Sequence, residues 1–243
     1  MSDVSTTLDG RVATITIDRQ ARRNAVDRAA CDAIGDAVHA SVETGARAVV
    51  LTGAGGNFCA GADLTGEEAE GVRLGIRRCL DIIRSVPVVT LAAIDGFALG
   101  AGMQFAAACD LRVATATARF GVPASKLGVA VDHTTVQQVA MLVGGSQARA
   151  ILLASEEIEG QRAYDLGFVN RLGALADAQA WAAEIAARAP LTIAAHKLAL
   201  NRLEAELADD DVAAAVNRAW SSADLQEGRT AFAEKRSPNF TGD

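Results

Sequence analysis

An excess of positive charge is the first thing this 243-residue chain lacks: 23 lysines and arginines face 30 aspartates and glutamates, for a formal net charge of −7. A general nucleic-acid binder would need a basic surface, so the balance argues against that class, and any anionic ligand must be met by local cations. The four cysteines, Cys31, Cys59, Cys79 and Cys109, show no C-x-x-C spacing, and a reducing compartment would keep them as free thiols. Three read as small buried hydrophobes. Cys59 lies in a glycine-rich loop that could expose it, although packing is the better reading. The opening Met1-Ser2-Asp3-Val4-Ser5 has neither the charged start nor the apolar core of a signal peptide, and no apolar run nears the length of a membrane span, so a cytoplasmic protein is expected. Gly53-Ala54-Gly55-Gly56-Asn57-Phe58 lacks the third glycine of a dinucleotide fingerprint, and no Walker-type lysine follows. His39 and His196 fall on helical patterns without an acidic or histidine partner at ligand spacing, so no metal is expected. No internal repeat or low-complexity tract stands out.

What is present is apolar material, 50% of the chain, enough for one large domain or a core with a small appendage. The apolar run Ala48 to Leu51 predicts a buried strand, and residues 53–56 a glycine-rich turn that brings backbone N–H groups close to a ligand. About forty residues later the pattern recurs. Val88 to Ile94 predicts a second strand, and Asp95 to Gly102 a turn into a helix over Met103 to Ala108, whose first N–H groups carry the positive end of the helix dipole. Two such turns side by side can hold two donors about 3 Å from one carbonyl oxygen, an oxyanion hole.

Arg11 to Ile17 alternates apolar with polar residues, as an antiparallel strand opening the domain with one wet face would. Apolar residues at Val26, Ala30, Ile34, Val38 and Val42 mark an amphipathic helix. Glu67 to Ser85 reads as another, with Ile76, Leu80 and Ile83 on one face and Arg73, Arg77 and Arg84 mostly on the other. Cys109 to Ala114 predicts a strand and Thr134 to Leu142 a helix, after which Ser146 can cap the next helix through Leu153. Glu159 to Leu166 reads as a short helix ending at Gly167, before a strand over Phe168 to Asn170. From Leu175 onward the chain is almost all helical, with Pro190 at a favourable first position. Residues 1–190 form the predicted core and 191–243 a helical C-terminal region.

Phe58-Cys59-Ala60-Gly61-Ala62-Asp63 and Asp95-Gly96-Phe97-Ala98-Leu99-Gly100-Ala101-Gly102 resemble the two loop motifs of the crotonase superfamily, the enoyl-CoA hydratase/isomerase family. Arg19 to Val26 is similar to a family Arg-Pro-x-x-Arg-Asn-Ala-Leu segment, with Gln20 in place of proline. Glu227 to Phe240 matches Glu-Gly-x-x-Ala-Phe-x-Glu-Lys-Arg-x-Pro-x-Phe/Trp. The resemblance extends over nearly the whole chain. It implies an α/β fold, a spiral of ββα units with C-terminal helices mediating homotrimers, or hexamers as dimers of trimers. It implies no cofactor, with an acyl-CoA thioester as ligand or substrate. The oxyanion donors would be the N–H groups of Ala62 and Ala101, and CoA would be held by Arg22, Arg23, Ala60, Asp63, Leu64 and, from a neighbouring subunit, Phe232 and Lys235. The helix over residues 67–85 would line the acyl pocket, although a plain core helix shows the same pattern. Arg22 and Arg23 also fit a solvated turn before a helix. Phe232 and Lys235, three apart, are expected on one helix face, and the lysine also suits a helix C-terminus.

Hydratases of that family hold water between two glutamates. The matching positions here are Gln104 and Ala124; glutamine cannot transfer a proton at neutral pH and alanine cannot touch the water. Asp132, eight residues beyond Ala124, stands where some family isomerases and a dehalogenase place a catalytic aspartate, and it is equally an N-cap for the helix that follows. The expectation is a non-catalytic acyl-CoA binder in lipid metabolism. The alternative is an isomerase or thioester hydrolase using Asp132.

Overall fold

The computed structural model describes residues 3–65, 69–205, 214, 217, 220–239 and 241. The expected helix start at Glu67 and the motif residue Phe240 lie outside them. Among the described residues the strands form two sheets. The larger runs β1 (Val4–Asp9), β2 (Val12–Ile17), β3 (Ala48–Gly53), β4 (Val89–Ile94), β6 (Leu111–Ala114), β9 (Arg171–Leu172), antiparallel only between β1 and β2. The smaller joins β5 (Phe97–Leu99), β7 (Arg119–Gly121) and β8 (Glu157–Glu159).

The opening strand is β1, which the alternation at Arg11 to Ile17 does not reveal, and β2 has no wet face. Successive residues of a strand point to opposite sides. Ala13, Ile15 and Ile17 enter one core with Val49, Leu51, Ala92 and Ile94, while Val12 enters a second with Ala48, Val50 and Leu91. The second face is closed by α7 (Leu175–Ala186) through Ala178, Ala182 and Ile185. Thr14, polar and so expected in water, is 6% exposed and accepts a hydrogen bond from Gln179 Nε2 at 3.0 Å.

On the first face, α1 (Arg28–Glu43) is capped by Asp27, whose carboxylate accepts from the Ala30 N–H at 2.8 Å. It packs against α2 (Ala69–Ser85), which buries Val72, Ile76, Cys79, Leu80 and Ile83. Then follow α3 (Ala101–Ala108), α4 (His133–Val143), α5 (Gly145–Leu153), α6 (Gly160–Asp165), α8 (Pro190–Ala205) and α9 (Ala223–Glu234). Ser146 does not cap α5. The N-cap is Gly144 at φ 81°, a conformation that places Ser146 inside the helix. The strand expected at Phe168 to Asn170 arrives later, as β9. Phe168 and Val169 are core residues, and Asn170 instead bonds Arg112 twice, through its N–H and its side-chain oxygen.

Candidate functional site

The Phe58-to-Asp63 loop and the turn into α3 are built against each other. Phe58 N–H donates to Asp95 O and Cys59 N–H to Phe97 O, both at 2.8 Å, and Leu99 N–H donates back to Cys59 O at 3.0 Å. Glycine makes the contact possible. A Cβ on Gly102 would lie 2.1 Å from Cys59 O, and Gly100 holds a positive φ of 53° that other residues rarely adopt. Ala62 follows Gly61 and Ala101 is the first residue of α3, so both residues stand where the two loops meet. Among the described residues neither donates to a backbone carbonyl outside helix and strand pairing. Gly100 N–H donates to Gly121 O at 2.9 Å, which ties the 3-10 turn Pro123–Lys126, and with it Ala124, to the same turn.

The approach to this point is fixed by the segment before α1. Asn24, fully buried at φ 59°, donates from Nδ2 to Ala54 O and Asn57 O and accepts from Arg19 N–H; asparagine tolerates this left-handed conformation better than most residues. Ala60 N–H donates to Arg23 O at 3.0 Å, and Asp63 N–H to Val26 O at 2.7 Å. Arg19, a buried side chain, reaches Asp3, Asp27 and the Ala25 carbonyl. Arg22 is paired with Asp63, while the Arg23 guanidinium lies 5.5 Å from the centre of the Phe97 ring. Burial alone would raise the Asp63 pKa; hydrogen bonds from Thr65 and Arg22 outweigh it and hold the carboxyl below its ordinary range. Arg22, Arg23, Ala60 and Asp63 are thus brought together. Arg19 and Asn24 are the loop's anchors, which reading Arg22 and Arg23 as the site cations misses.

Cys59 is fully buried, and burial pushes its thiol to about 12 against a lowering backbone hydrogen bond at Gly61. It stays a neutral packing group and not a thioester nucleophile.

Gln104 is 8% exposed on α3, and its Oε1 lies 3.5 Å from the Thr135 hydroxyl, which is 3.1 Å from Asp132 Oδ2. One hydroxyl proton serves one acceptor, and the shorter contact to the charged group takes it. Asp132 is the N-cap of α4: Oδ1 accepts from Thr135 N–H at 2.9 Å. Both its oxygens therefore face the first turn of that helix. The neighbouring His133 Nδ1 is buried without a hydrogen-bond partner among the described residues.

The C-terminal helix returns to this same chain's loops. Arg229 Nε donates to Leu64 O at 3.1 Å, and a Cβ on Gly228 would lie 2.4 Å from Leu127 O. Trp220 Nε1 donates to Ala130 O at 2.6 Å and its ring lies 5.7 Å from the Arg73 guanidinium of α2. Sequence spacing gave no signal for Arg229 or Trp220, because their partners lie 165 and 90 residues away. Phe232 is 70% exposed on α9. Lys235 does not share its helix face: the helix ends at Glu234 and Lys235 is a left-handed cap at φ 54°, with Arg236 N–H closing onto Ala231 O at 3.0 Å. His39, read as lacking an acidic partner, has Glu43 one turn on, 3.4 Å from Nδ1. Among the described residues no group of three or more potential metal ligands forms.

Two sheets joined through paired glycine loops, with helices returning over them, define a crotonase-type α/β protein. Residues 7–243 match the family model described as Enoyl-CoA hydratase/isomerase. A protein of Mycobacterium tuberculosis (strain CDC 1551 / Oshkosh) named "Probable enoyl-CoA hydratase echA6" is 41% identical over 239 residues, 95% of this chain and 96% of its own. An enoyl-CoA hydratase/isomerase structure from Pseudoalteromonas atlantica aligns with a TM-score of 0.88 at 27% identity, over 99% of this chain and 100% of that one. A methylmalonyl-CoA decarboxylase structure aligns with a TM-score of 0.91 at 25% identity, over 100% and 99%. The chain belongs to the enoyl-CoA hydratase/isomerase family.

Proposed function

We propose that this chain binds fatty acyl-CoA thioesters in lipid metabolism and does not efficiently hydrate them. The relatives are named for enoyl-CoA and methylmalonyl-CoA, both CoA thioesters. The observation that carries the reading is the pair Gln104, on α3, and Ala124, on the 3-10 turn, in segments joined by the Gly100 to Gly121 hydrogen bond, where neither side chain can pass a proton. In this reading the Ala62 and Ala101 N–H groups polarise the thioester carbonyl, and Arg22, Arg23, Ala60, Asp63 and Leu64 line the CoA side. Exposed Phe232 and Lys235 serve a neighbouring subunit of a trimer or a dimer of trimers, in the cytoplasm. No cofactor takes part.

Calorimetric titration tests it. Long-chain acyl-CoA is expected to bind more tightly than free CoA, because the two N–H donors and the acyl pocket act only on the thioester half. Equal affinity for both would refute the assignment.

A second reading, an isomerase or thioester hydrolase, is favoured by one observation: the Thr135 hydroxyl, 3.1 Å from Asp132 Oδ2 and 3.5 Å from Gln104 Oε1, stands between Asp132 and Gln104. As a cap, Asp132→Asn is expected to leave stability within about 0.5 kcal/mol, since asparagine caps about as well. A catalytic carboxylate would instead lose all turnover in the same variant. Acyl-CoA turnover measured in the wild type and retained by Asp132→Asn eliminates the second reading.

A further inference from the structure

The sheet face opposite the glycine loops carries a cleft of about 550 Å³ between the β1–β2 turn and α7, within the range of roughly 300–1,000 Å³ of small-molecule sites. Two arginines line it, Arg11 and Arg47. They precede the cross-strand partners Val12 and Ala48, and the Arg47 N–H donates to Arg11 O at 2.8 Å, so the two residues stand side by side where β2 and β3 begin. Like charges in that relation repel. Neither guanidinium forms an ion pair or hydrogen bond among the described residues, although acidic residues outnumber basic ones in the chain 30 to 23. Most arginines beside the glycine loops, by contrast, are paired with carboxylates or carbonyls.

We infer that this cleft is a binding site for a small organic anion, a phosphate monoester or carboxylate carrying an apolar body. Two guanidinium groups lining one cleft offer N–H donors that suit the oxygens of either group. Asp9 also lines the cleft, leaving one net positive charge from these three side chains and favouring a singly charged head over a polyanion. Gln179, which also lines the cleft, spends an Nε2 hydrogen on Thr14 Oγ1 at 3.0 Å and retains its Oε1 as an acceptor for a ligand hydroxyl or amine. The small side chain of Ala183 leaves the α7 wall open to the apolar body.

The test uses the full chain, with phenyl phosphate and hexanoate as probes in calorimetry and saturation-transfer NMR, and inorganic phosphate as the headgroup control. Saturable binding of phenyl phosphate or hexanoate, at least about tenfold tighter than inorganic phosphate, supports the site, and the tighter probe identifies the headgroup. The double variant Arg11→Gln with Arg47→Gln is expected to weaken that probe at least about tenfold. Ala183→Trp, which fills the wall, is expected to abolish binding. Long-chain acyl-CoA affinity is expected to stay unchanged in both variants, so that failure here and failure of the thioester reading give different results. The inference is overturned if neither probe saturates by about 10 mM, if the double arginine variant binds as the wild type does, or if light scattering shows that Ala183→Trp changes the oligomeric mass, which would make the cleft an interface between copies. Should Ala183→Trp fail to fold, the double arginine variant, at one exposed and one half-buried position, still decides the matter.

Discussion

Gln104→Glu combined with Ala124→Glu is expected to raise hydration of a short enoyl-CoA by about 10²- to 10⁴-fold over the unmodified protein, the range a positioned general acid or base supplies. The measurement is loss of the conjugated thioester absorbance in protein shown to be folded and CoA-binding. The two turns are already joined, since Gly100 N–H donates to Gly121 O, and Gln104 lies 3.5 Å from the Thr135 hydroxyl that bonds half-buried Asp132. Each single change is expected to gain little, because one glutamate leaves the water without its second hydrogen bond or without a proton relay, so the effects are strongly non-additive. The Asp132 charge also limits the gain, since a like charge nearby raises the pKa of a new carboxyl at 104. A further limit is placement: an error of 1 Å costs about 10²-fold. Efficient hydration by the unmodified chain would overturn the proposed function outright.

Lys197→Met is expected to destabilise the protein by up to about 3–5 kcal/mol, the cost of breaking a buried ion pair from one side, with water able to reach the Asp110 side chain, which is 25% exposed. Lys197 is 6% exposed, and its ammonium donates to Ile83 O at 3.1 Å, Val88 O at 3.0 Å and Asp110 Oδ2 at 2.8 Å. An ammonium has three protons, and all three are used. The interaction ties α8 to the end of α2, the approach to β4 and the residue before β6. Without it, two carbonyls lose their donor and Asp110 keeps only Thr90, through its N–H at 2.7 Å and its hydroxyl at 3.0 Å. Asp110→Asn should cost less, because the two carbonyl acceptors of Lys197 remain. Urea unfolding monitored by circular dichroism measures both variants. A loss below about 1 kcal/mol for Lys197→Met would mean that the site relaxes to admit water and that the pair contributes little.

Much of the local structure is legible from residue pattern because it is dictated within a few residues of each position. The four-residue step from Val26 to Val42 becomes α1 at Arg28–Glu43, and the apolar run at Val88 to Ile94 becomes β4. Asp132 is a cap because aspartate before a helix can bond the N–H three residues on, and it does so to Thr135. The glycine loops are visible for the same kind of reason: a backbone that must approach another backbone as closely as Gly102 approaches Cys59 has no room for a Cβ. Where the pattern misleads, the cause lies at a distance. Arg11 to Ile17 alternates as a half-exposed strand does, and Thr14 is drawn out of water only by a helix some 165 residues further on. Phe232 and Lys235 have helical spacing, yet the chain leaves the helix between them through the left-handed residue 235.

Chain-local pattern, then, carried the α/β class, most elements, the family motifs and the presence of Gln104 and Ala124 beside them, since each depends on residue type and short spacing. Long-range packing alone assigned the rest. Lys197 reads as an ordinary exposed helix lysine until α8 lies across Ile83, Val88 and Asp110. Arg19 reads as one basic residue among three until Asp3, Asp27 and the Ala25 carbonyl converge on it. Arg11 and Arg47 are 36 positions apart in the chain and become neighbours only through the parallel pairing of β2 with β3. A side chain's cost or use depends on what surrounds its charge and its hydrogen-bonding atoms, and those surroundings come from segments that no local window contains.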